Sequence, residues 1–123
     1  MNHITDIRTI AIPVTDQDRA LDFYVGKLGF DKHLDAPLPE RGGRWIVVAP
    51  PGASTTIALV PASDSAPAGS DTGIRLVTPD AAAAHQQLTA GGVEADELLA
   101  WPDVPPMFTF RDPDGNQLFL VQE

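Results

Sequence analysis

One pattern of strands and a helix occurs twice in this chain of 123 residues. In the first half, an alternating stretch ends at Val14-Thr15 and a helical pattern follows; in the second half, the same signals surround Val77-Thr78. Repetition of a pattern at about half the chain length indicates a duplicated structural unit. Each unit is predicted to consist of one strand, one helix and three further strands. The sequence therefore predicts an α+β fold built from two β-α-β-β-β modules.

Module one is predicted from about residue 4 to residue 61. Its first strand ends at Val14, and Thr15 followed by Asp18 matches a helix-capping pattern. Apolar residues at helical spacing share one face of the helix, namely Leu21, Tyr24, Val25 and Leu28. Three strands are expected after Gly29, at 30–34, 45–49 and 55–60, and Pro50-Pro51-Gly52 indicates a hairpin between the last two.

A connector rich in small and polar residues, 61–71, separates module one from module two, which is predicted over about 72–122. Thr78 is predicted to cap the second helix with Pro79 at its first position, and Gly91 to end it. Strands are expected at 74–77, 93–98 and 107–110, before a last strand at the end of the chain. Residues 1–123 are thus expected to form a single domain.

The closing stretch FRDPDGNQLFLVQE, residues 110–123, carries the clearest turn signal in the chain. Asp112 supplies an acceptor, Pro113 fixes φ, and Gly115 tolerates a left-handed backbone, which together favour a tight hairpin. The strand that follows is apolar on both of its faces. It should therefore pack against a helix on one face and against a core or a cavity on the other.

Composition narrows the range of functions. The apolar content of 43% is enough for a hydrophobic core, and the net charge of −9 repels phosphate backbones and anionic membranes, so nucleic acid is not an expected partner. No segment approaches the roughly 18 apolar residues that a membrane helix needs, and the first ten residues do not resemble a signal peptide. We expect a cytoplasmic protein. The absence of cysteine excludes disulfides and thiolate sites.

Two stretches resemble a known family. VTDQDRALDFYVGKLGF, residues 14–30, resembles the first-module signature of the vicinal oxygen chelate superfamily, and FRDPDGNQLFLVQ resembles its closing hairpin. This superfamily includes glyoxalase I, extradiol dioxygenases, fosfomycin-resistance transferases and bleomycin-resistance proteins. The resemblance implies that the strands of the paired modules curl into an incomplete barrel around a ligand cavity. It also implies homodimers, which are common in the family.

Metal-dependent members of the family carry His, Gln or Glu ligands at four inward-facing positions. The matching positions of this chain hold Thr9, Ala58, Gly73 and Phe119. None of these side chains binds a divalent cation in the expected way. We therefore expect neither a metal nor another cofactor.

Alternation from those four positions predicts the residues that line a ligand cavity. With the two tryptophans, the expected cavity residues are Thr9, Ala11, Trp45, Thr56, Ala58, Gly73, Arg75, Trp101, Gln117 and Phe119. Small side chains would leave volume, and Phe119 would supply an apolar wall. Trp45 and Trp101 are interpreted either as stacking surfaces for a planar ligand or as caps on the cores of the modules.

Two charged or titratable residues have open interpretations. Arg75 on an inward strand face should meet a carboxylate, supplied either by the rim of the protein or by a ligand. His33 is predicted to alternate with Lys32 and Leu34 and to share a strand face with Asp31 and Asp35. It is interpreted either as part of a solvent-facing surface or as an acid-base group at the mouth of the cavity.

The sequence supports two functional hypotheses. The first is a metal-free protein that binds a hydrophobic or aromatic small molecule, in the manner of bleomycin-resistance-like sequestering proteins. The second is an enzyme of the superfamily, a glyoxalase-like lyase or isomerase or a dioxygenase, with a relocated metal or with a metal-independent mechanism through Arg75, His33 or Gln117.

Overall fold

The structure of the protein, a computed structural model, describes residues 3–40 and 42–123. The chain forms two compact units, Met1–Pro67 and Ala68–Glu123. The boundary between the units falls within the predicted connector. One predicted loop, 37–43, contains residue 41, which lies outside the described residues.

The first unit contains module one. Its elements are β1 (Thr9–Val14), α1 (Gln17–Leu21) continued by a π-helical turn (Asp22–Lys27), β2 (Asp31–Pro37), β3 (Arg44–Ala49) and β4 (Thr56–Pro61). The strands form a sheet in the order β1-β4-β3-β2. β1 runs parallel to β4, whereas β3 runs antiparallel to both β2 and β4.

The second unit repeats this topology. Its elements are β5 (Asp71–Thr78), α2 (Ala81–Ala90), β6 (Glu94–Ala95), β7 (Met107–Arg111) and β8 (Gln117–Gln122). The sheet order is β5-β8-β7-β6, with β5 parallel to β8 and the other pairs antiparallel. The predicted pair of β-α-β-β-β modules is thereby confirmed, as are the hairpins that join β3 to β4 and β7 to β8.

Both helices begin slightly later than the sequence pattern predicted. The N-caps are Asp16 and Asp80, whose carboxylates accept hydrogen bonds from the backbone N–H groups of Arg19 and Ala83 at 3.0 Å. The predictions of Thr15 and Thr78 as caps were wrong. The prediction of Pro79 at the first helical position was also wrong, because Pro79 precedes the cap. Aspartate caps a helix as well as threonine does, and local pattern does not choose between candidates one or two residues apart.

The π-helical turn changes which side chains of the first helix are buried. The Leu28 N–H donates to the Phe23 carbonyl at 3.0 Å, five residues back, which widens the helix by one residue per turn. As a result Phe23 and Tyr24 are buried side by side, whereas Val25, predicted for the apolar face, is 37% exposed. A strict period of 3.6 residues does not anticipate this shift.

Each sheet has one face in its module's apolar core. In module one, Ile12, Val14, Ile46 and Leu59 are fully or almost fully buried, and the corresponding residues of module two include Phe108, Phe110 and Leu118. The residues that alternate with them are less buried, as Thr9, Trp45 and Val47 show in module one. Alternation in strands therefore separates a core face from a second face that carries the predicted cavity residues.

The turn between β7 and β8 is held by a buried polar pair. Asn116 has no exposed surface and Asp112 is 5% exposed. The Asn116 side chain donates from Nδ2 to Asp112 Oδ2 at 2.9 Å, and its Oδ1 accepts from the Gly69 N–H at 2.7 Å and the Ser70 N–H at 3.3 Å. Asn116 thus connects the closing hairpin to the chain that enters β5.

Replacing Asn116 by Ala should destabilise the fold by about 2–4 kcal/mol, because a buried carboxylate and two backbone N–H groups lose their partner. Urea denaturation followed by circular dichroism measures the change. The control Ser70→Ala keeps the backbone N–H in place and should alter stability by less than about 0.5 kcal/mol. An Asn116→Ala variant as stable as the wild type would show that this network does not stabilise the turn.

Candidate functional site

A cavity of about 410 Å³ lies in module one. Its walls come from all strands of the module's sheet and from the loop before β4, and they are Arg8, Thr9, His33, Leu34, Trp45, Val47, Ser54 and Thr56. Thr9, Trp45 and Thr56 were predicted to line a cavity from the sequence. Thr9 and Thr56 are close because they are register partners in the parallel β1–β4 pair, and Thr9 Oγ1 donates a hydrogen bond to the Thr56 carbonyl at 3.2 Å.

A β-bulge in β2 explains how two consecutive residues reach the cavity. Lys32 pairs with Val48 and Leu34 with Val47, so His33 is the extra, unpaired residue. A bulge interrupts strict alternation and can aim successive side chains to the same side. His33 and Leu34 accordingly both line the cavity. The prediction that His33 alternates with Leu34 was therefore wrong at this point.

Trp45 is positioned by the polar contacts of its neighbour, Arg44. Gln17 at the start of α1 accepts from the Arg44 N–H at 3.0 Å and donates to the Arg44 carbonyl at 2.6 Å. The same side-chain amide also donates to the Leu59 carbonyl in β4 at 2.9 Å. Gln17 therefore fixes the start of β3, and with it the backbone that carries Trp45. This role of Gln17 was not predicted, because a glutamine in a first helical turn gives no distinctive sequence signal.

Arg44 also forms an ion-pair network beside the strand. Its guanidinium binds both carboxylate oxygens of Asp35, each at 3.0 Å, and donates to Asp18 at 2.8 Å. These hydrogen bonds lower the pKa of Asp35 and raise the pKa of Arg44. The network joins β2, β3 and α1 next to Trp45.

In module two, the predicted residues Arg75 and Phe119 are in contact. They are register partners in the parallel β5–β8 pair, and the Arg75 guanidinium carbon lies 4.2 Å from the centroid of the Phe119 ring. This is a cation–π arrangement. Arg75 Nη1 also donates to the Gly73 carbonyl at 2.8 Å.

Gly73 creates the irregularity that makes this contact possible. The pairing of β5 with β8 shifts between Asp71 and Arg75, and Gly73 adopts a φ of 70°. The Gly73 N–H donates to Asp71 Oδ1 at 2.9 Å, which closes a local turn. A positive φ is readily reached by glycine, and the distorted strand directs the Gly73 carbonyl to the arginine.

The remaining predicted residues have varied surroundings. Ala58 is fully buried between its register partners Ala11 and Val47, whereas Ala11 itself is exposed. Gln117 Oε1 accepts a long hydrogen bond of 3.4 Å from Arg111. Trp101 lies in a loop and is 56% exposed, so it does not cap a core.

The four positions that hold metal ligands in metal-dependent relatives do not fit a cation here. Ala58 and Gly73 have no donor atoms, the Phe119 ring is against a guanidinium, and the Thr9 hydroxyl donates to a carbonyl. Across residues 3–40 and 42–123, no three His, Cys, Asp or Glu side chains cluster as a metal site would require. His85 instead bonds the Asp96 carbonyl at 2.9 Å.

Comparison with known proteins agrees with this fold. A sequence model of the Glyoxalase/Bleomycin resistance protein/Dioxygenase superfamily matches residues 1–120. The chain belongs to this superfamily. The predicted resemblance is thereby confirmed.

Individual relatives cover almost the whole chain. The chain is 34% identical to the uncharacterized protein YetH of Bacillus subtilis, over 98% of this chain and 99% of that protein. It is 37% identical to TnmS3, an antibiotic binding protein from Streptomyces sp. CB03234, with a TM-score of 0.88 and coverage of 99% and 98%. A superfamily member from Sphaerobacter thermophilus is 41% identical, with a TM-score of 0.89 and 98% of both chains covered. In the described part of the chain, no helix is long and apolar enough to cross a membrane.

Acid should weaken the ion pairs beside Trp45 and at the edge of module two. Hydrogen bonds from Arg44 lower the pKa of Asp35, and hydrogen bonds from Arg111 and Thr109 lower the pKa of Asp96. Because the folded-state pKa values lie below the unfolded value of about 3.9, both aspartates stabilise the fold above that pH and lose the effect as the pH falls through the folded-state values.

Stability measured by urea denaturation from pH 6 to pH 2 should therefore decline less steeply in acid for Asp35→Asn and Asp96→Asn than for the wild type. Both variants should also be less stable than the wild type at pH 6. Asp64→Asn, in the exposed connector, is the control and should follow the wild-type curve. Parallel acid curves for all four proteins would contradict the role assigned to the two pairs.

Proposed function

We propose that the protein binds a hydrophobic or aromatic small molecule without a metal, as a sequestering protein does. The observation that carries this proposal is the cavity of about 410 Å³ with Trp45 and Leu34 in its walls. Cavities that bind organic ligands span about 300–1,000 Å³ and are mostly apolar, with few polar groups to fix orientation. The apolar walls here are Leu34, Trp45 and Val47, and the polar groups come from Arg8, Thr9, His33, Ser54 and Thr56.

Two further observations support a binding function. TnmS3, which is 37% identical over nearly the whole chain, is described as an antibiotic binding protein. In addition, Thr9 is the one metal-ligand position of the family that lines this cavity, and its hydroxyl donates to the Thr56 carbonyl, so we propose an organic ligand rather than an ion. We propose Thr9, Trp45 and Thr56 as ligand contacts.

Our proposals for domain organisation, localisation and oligomeric state rest on the sequence. We propose that residues 1–123 act as a single domain in the cytoplasm and form a homodimer. The net charge of −9 argues against nucleic acid as a partner.

An enzymatic function is the second candidate, and the position of His33 favours it. The bulge in β2 brings an imidazole into the cavity wall beside Trp45. Histidine exchanges protons near neutral pH, so it suits general acid-base catalysis on a bound ligand. In this alternative the protein is a lyase, an isomerase or a dioxygenase of the superfamily, with a relocated metal or with none.

Binding can be tested with a panel of planar, polycyclic aromatic compounds. We expect saturable binding in isothermal titration calorimetry and quenching of tryptophan fluorescence. Trp45→Ala should weaken the affinity about tenfold, because stacking and apolar contact are lost from the cavity wall. The matched control Trp101→Phe, in an exposed loop, should bind as the wild type does. A folded wild-type protein that binds no member of the panel would refute the proposal.

The enzymatic alternative predicts chemical change in a bound compound. Each compound that binds is incubated with the protein, before and after loading with nickel, zinc, manganese or iron, and followed by NMR. Turnover that His33→Gln abolishes, while affinity changes by less than about twofold, would establish the alternative. Elemental analysis of the loaded protein tests separately for a relocated metal. Unchanged compounds throughout would favour sequestration.

A further inference from the structure

We propose that Arg75 is an anion-recognition residue, whose guanidinium, supported by the Phe119 ring, binds the carboxylate of a planar aromatic acid. The residues proposed to form this site all belong to module two. The proposal therefore succeeds or fails separately from the cavity proposed in module one.

The arginines in the strands differ in whether they form ion pairs. Arg44 in β3 is paired with Asp35 and Asp18, and Arg111 in β7 is paired with Asp96 and approaches Glu94 at 3.6 Å. Arg75 in β5 has no carboxylate within 4.0 Å among residues 3–40 and 42–123. Arg75 is exposed, so its charge is solvated and a ligand can reach it.

The nearest acidic residue on the same strand is engaged elsewhere. Asp71 lies four residues before Arg75, and its Oδ1 accepts from the Gly73 N–H at 2.9 Å. The rim ion pair that the sequence analysis considered for Arg75 is therefore not formed in the described part of the chain. The exposed guanidinium is accessible to a carboxylate from a ligand, the second of the two partners considered for it.

The Arg75 guanidinium is preorganised. The Phe119 ring supports the guanidinium at 4.2 Å, and the Gly73 carbonyl binds Nη1 at 2.8 Å. Arginine has five N–H donors in a rigid, planar fork, and among residues 3–40 and 42–123 Arg75 donates from Nη1 alone, to the Gly73 carbonyl. Because the side chain is already held, a bidentate carboxylate would bind without the full entropic cost of ordering a long side chain.

An apolar surface lies next to the cation. Val77 and Val121 form the register pair two residues beyond Arg75 and Phe119, and Val77 is 62% exposed. An exposed valine on a strand beside a half-buried phenylalanine makes an apolar strip that ends at a positive charge. A ligand with an aromatic body and one carboxylate matches both parts of this surface.

The test uses two probes that differ in charge alone, 2-naphthoate and 2-naphthamide, with affinities measured by isothermal titration calorimetry. Wild-type protein should bind naphthoate more tightly. Arg75→Gln should lose about 10- to 100-fold in affinity for naphthoate and less than about twofold for naphthamide, as expected for charge-assisted hydrogen bonds. Lys27→Gln, an exposed helix residue, makes the same change in net charge and should have no effect on either probe.

Two further variants test the geometry. Arg75→Lys keeps the charge but loses the bidentate fork, so its affinity for naphthoate should lie between those of the wild type and Arg75→Gln. Phe119→Leu keeps an apolar side chain but removes the aromatic support, and should weaken naphthoate binding by about two- to fivefold. NMR of the Arg75 Nε–H resonance should shift on addition of naphthoate and not on addition of naphthamide.

Several results would overturn the inference. Equal loss for both probes in Arg75→Gln would show that Arg75 merely packs, and equal loss in Lys27→Gln would show an effect of overall charge. Failure of the folded wild-type protein to bind naphthoate would also overturn it. None of these results would affect binding of uncharged compounds to the Trp45 cavity, so the two proposals can be judged apart.

Discussion

The parallel pairing of the first and last strands holds each module together. This pairing brings together residues that are more than forty positions apart in the sequence, and it does so in a fixed register: Thr9 with Thr56 in module one, and Arg75 with Phe119 in module two. Parallel strands need a crossover connection, so the intervening helix must lie on one face of the sheet. The other face is then available for the side chains from which we argue function.

The sequence was sufficient to predict the modules and the faces of the strands. Apolar alternation separates Ile12 and Val14, which are buried, from Thr9 and Ala11, and the DPDG turn locates the closing hairpin. These signals are local and periodic, so they survive without tertiary information. The same reasoning predicts Thr9, Trp45 and Thr56 as cavity residues, and all three line the pocket of module one.

The features that the sequence did not reveal depend on irregular backbone or on distant partners. The bulge at His33 is defined by an unpaired position opposite β3, and the strand's own letters do not show it. Likewise, the positive φ of Gly73 and its hydrogen bond to Arg75 arise where β5 and β8 lose register. The contact between Gln17 and β3 joins residues 27 positions apart. The bulge positions His33, the Gly73 carbonyl holds Arg75, and Gln17 fixes the backbone that carries Trp45. We propose a functional role for each of these three residues.

The role inferred for Phe119 changes once its contact with Arg75 is considered. From the sequence it was an apolar wall in place of a metal ligand, whereas in the structure it also supports a guanidinium. A single substitution that introduced a carboxylate at position 119 would place it beside Arg75, and the two side chains would form an ion pair. Ala58 and Gly73 would still provide no side-chain ligand for a metal. A metal centre would therefore require concerted change at several strands. Aromatic support of a cation, by contrast, needs the Arg75–Phe119 register pair alone.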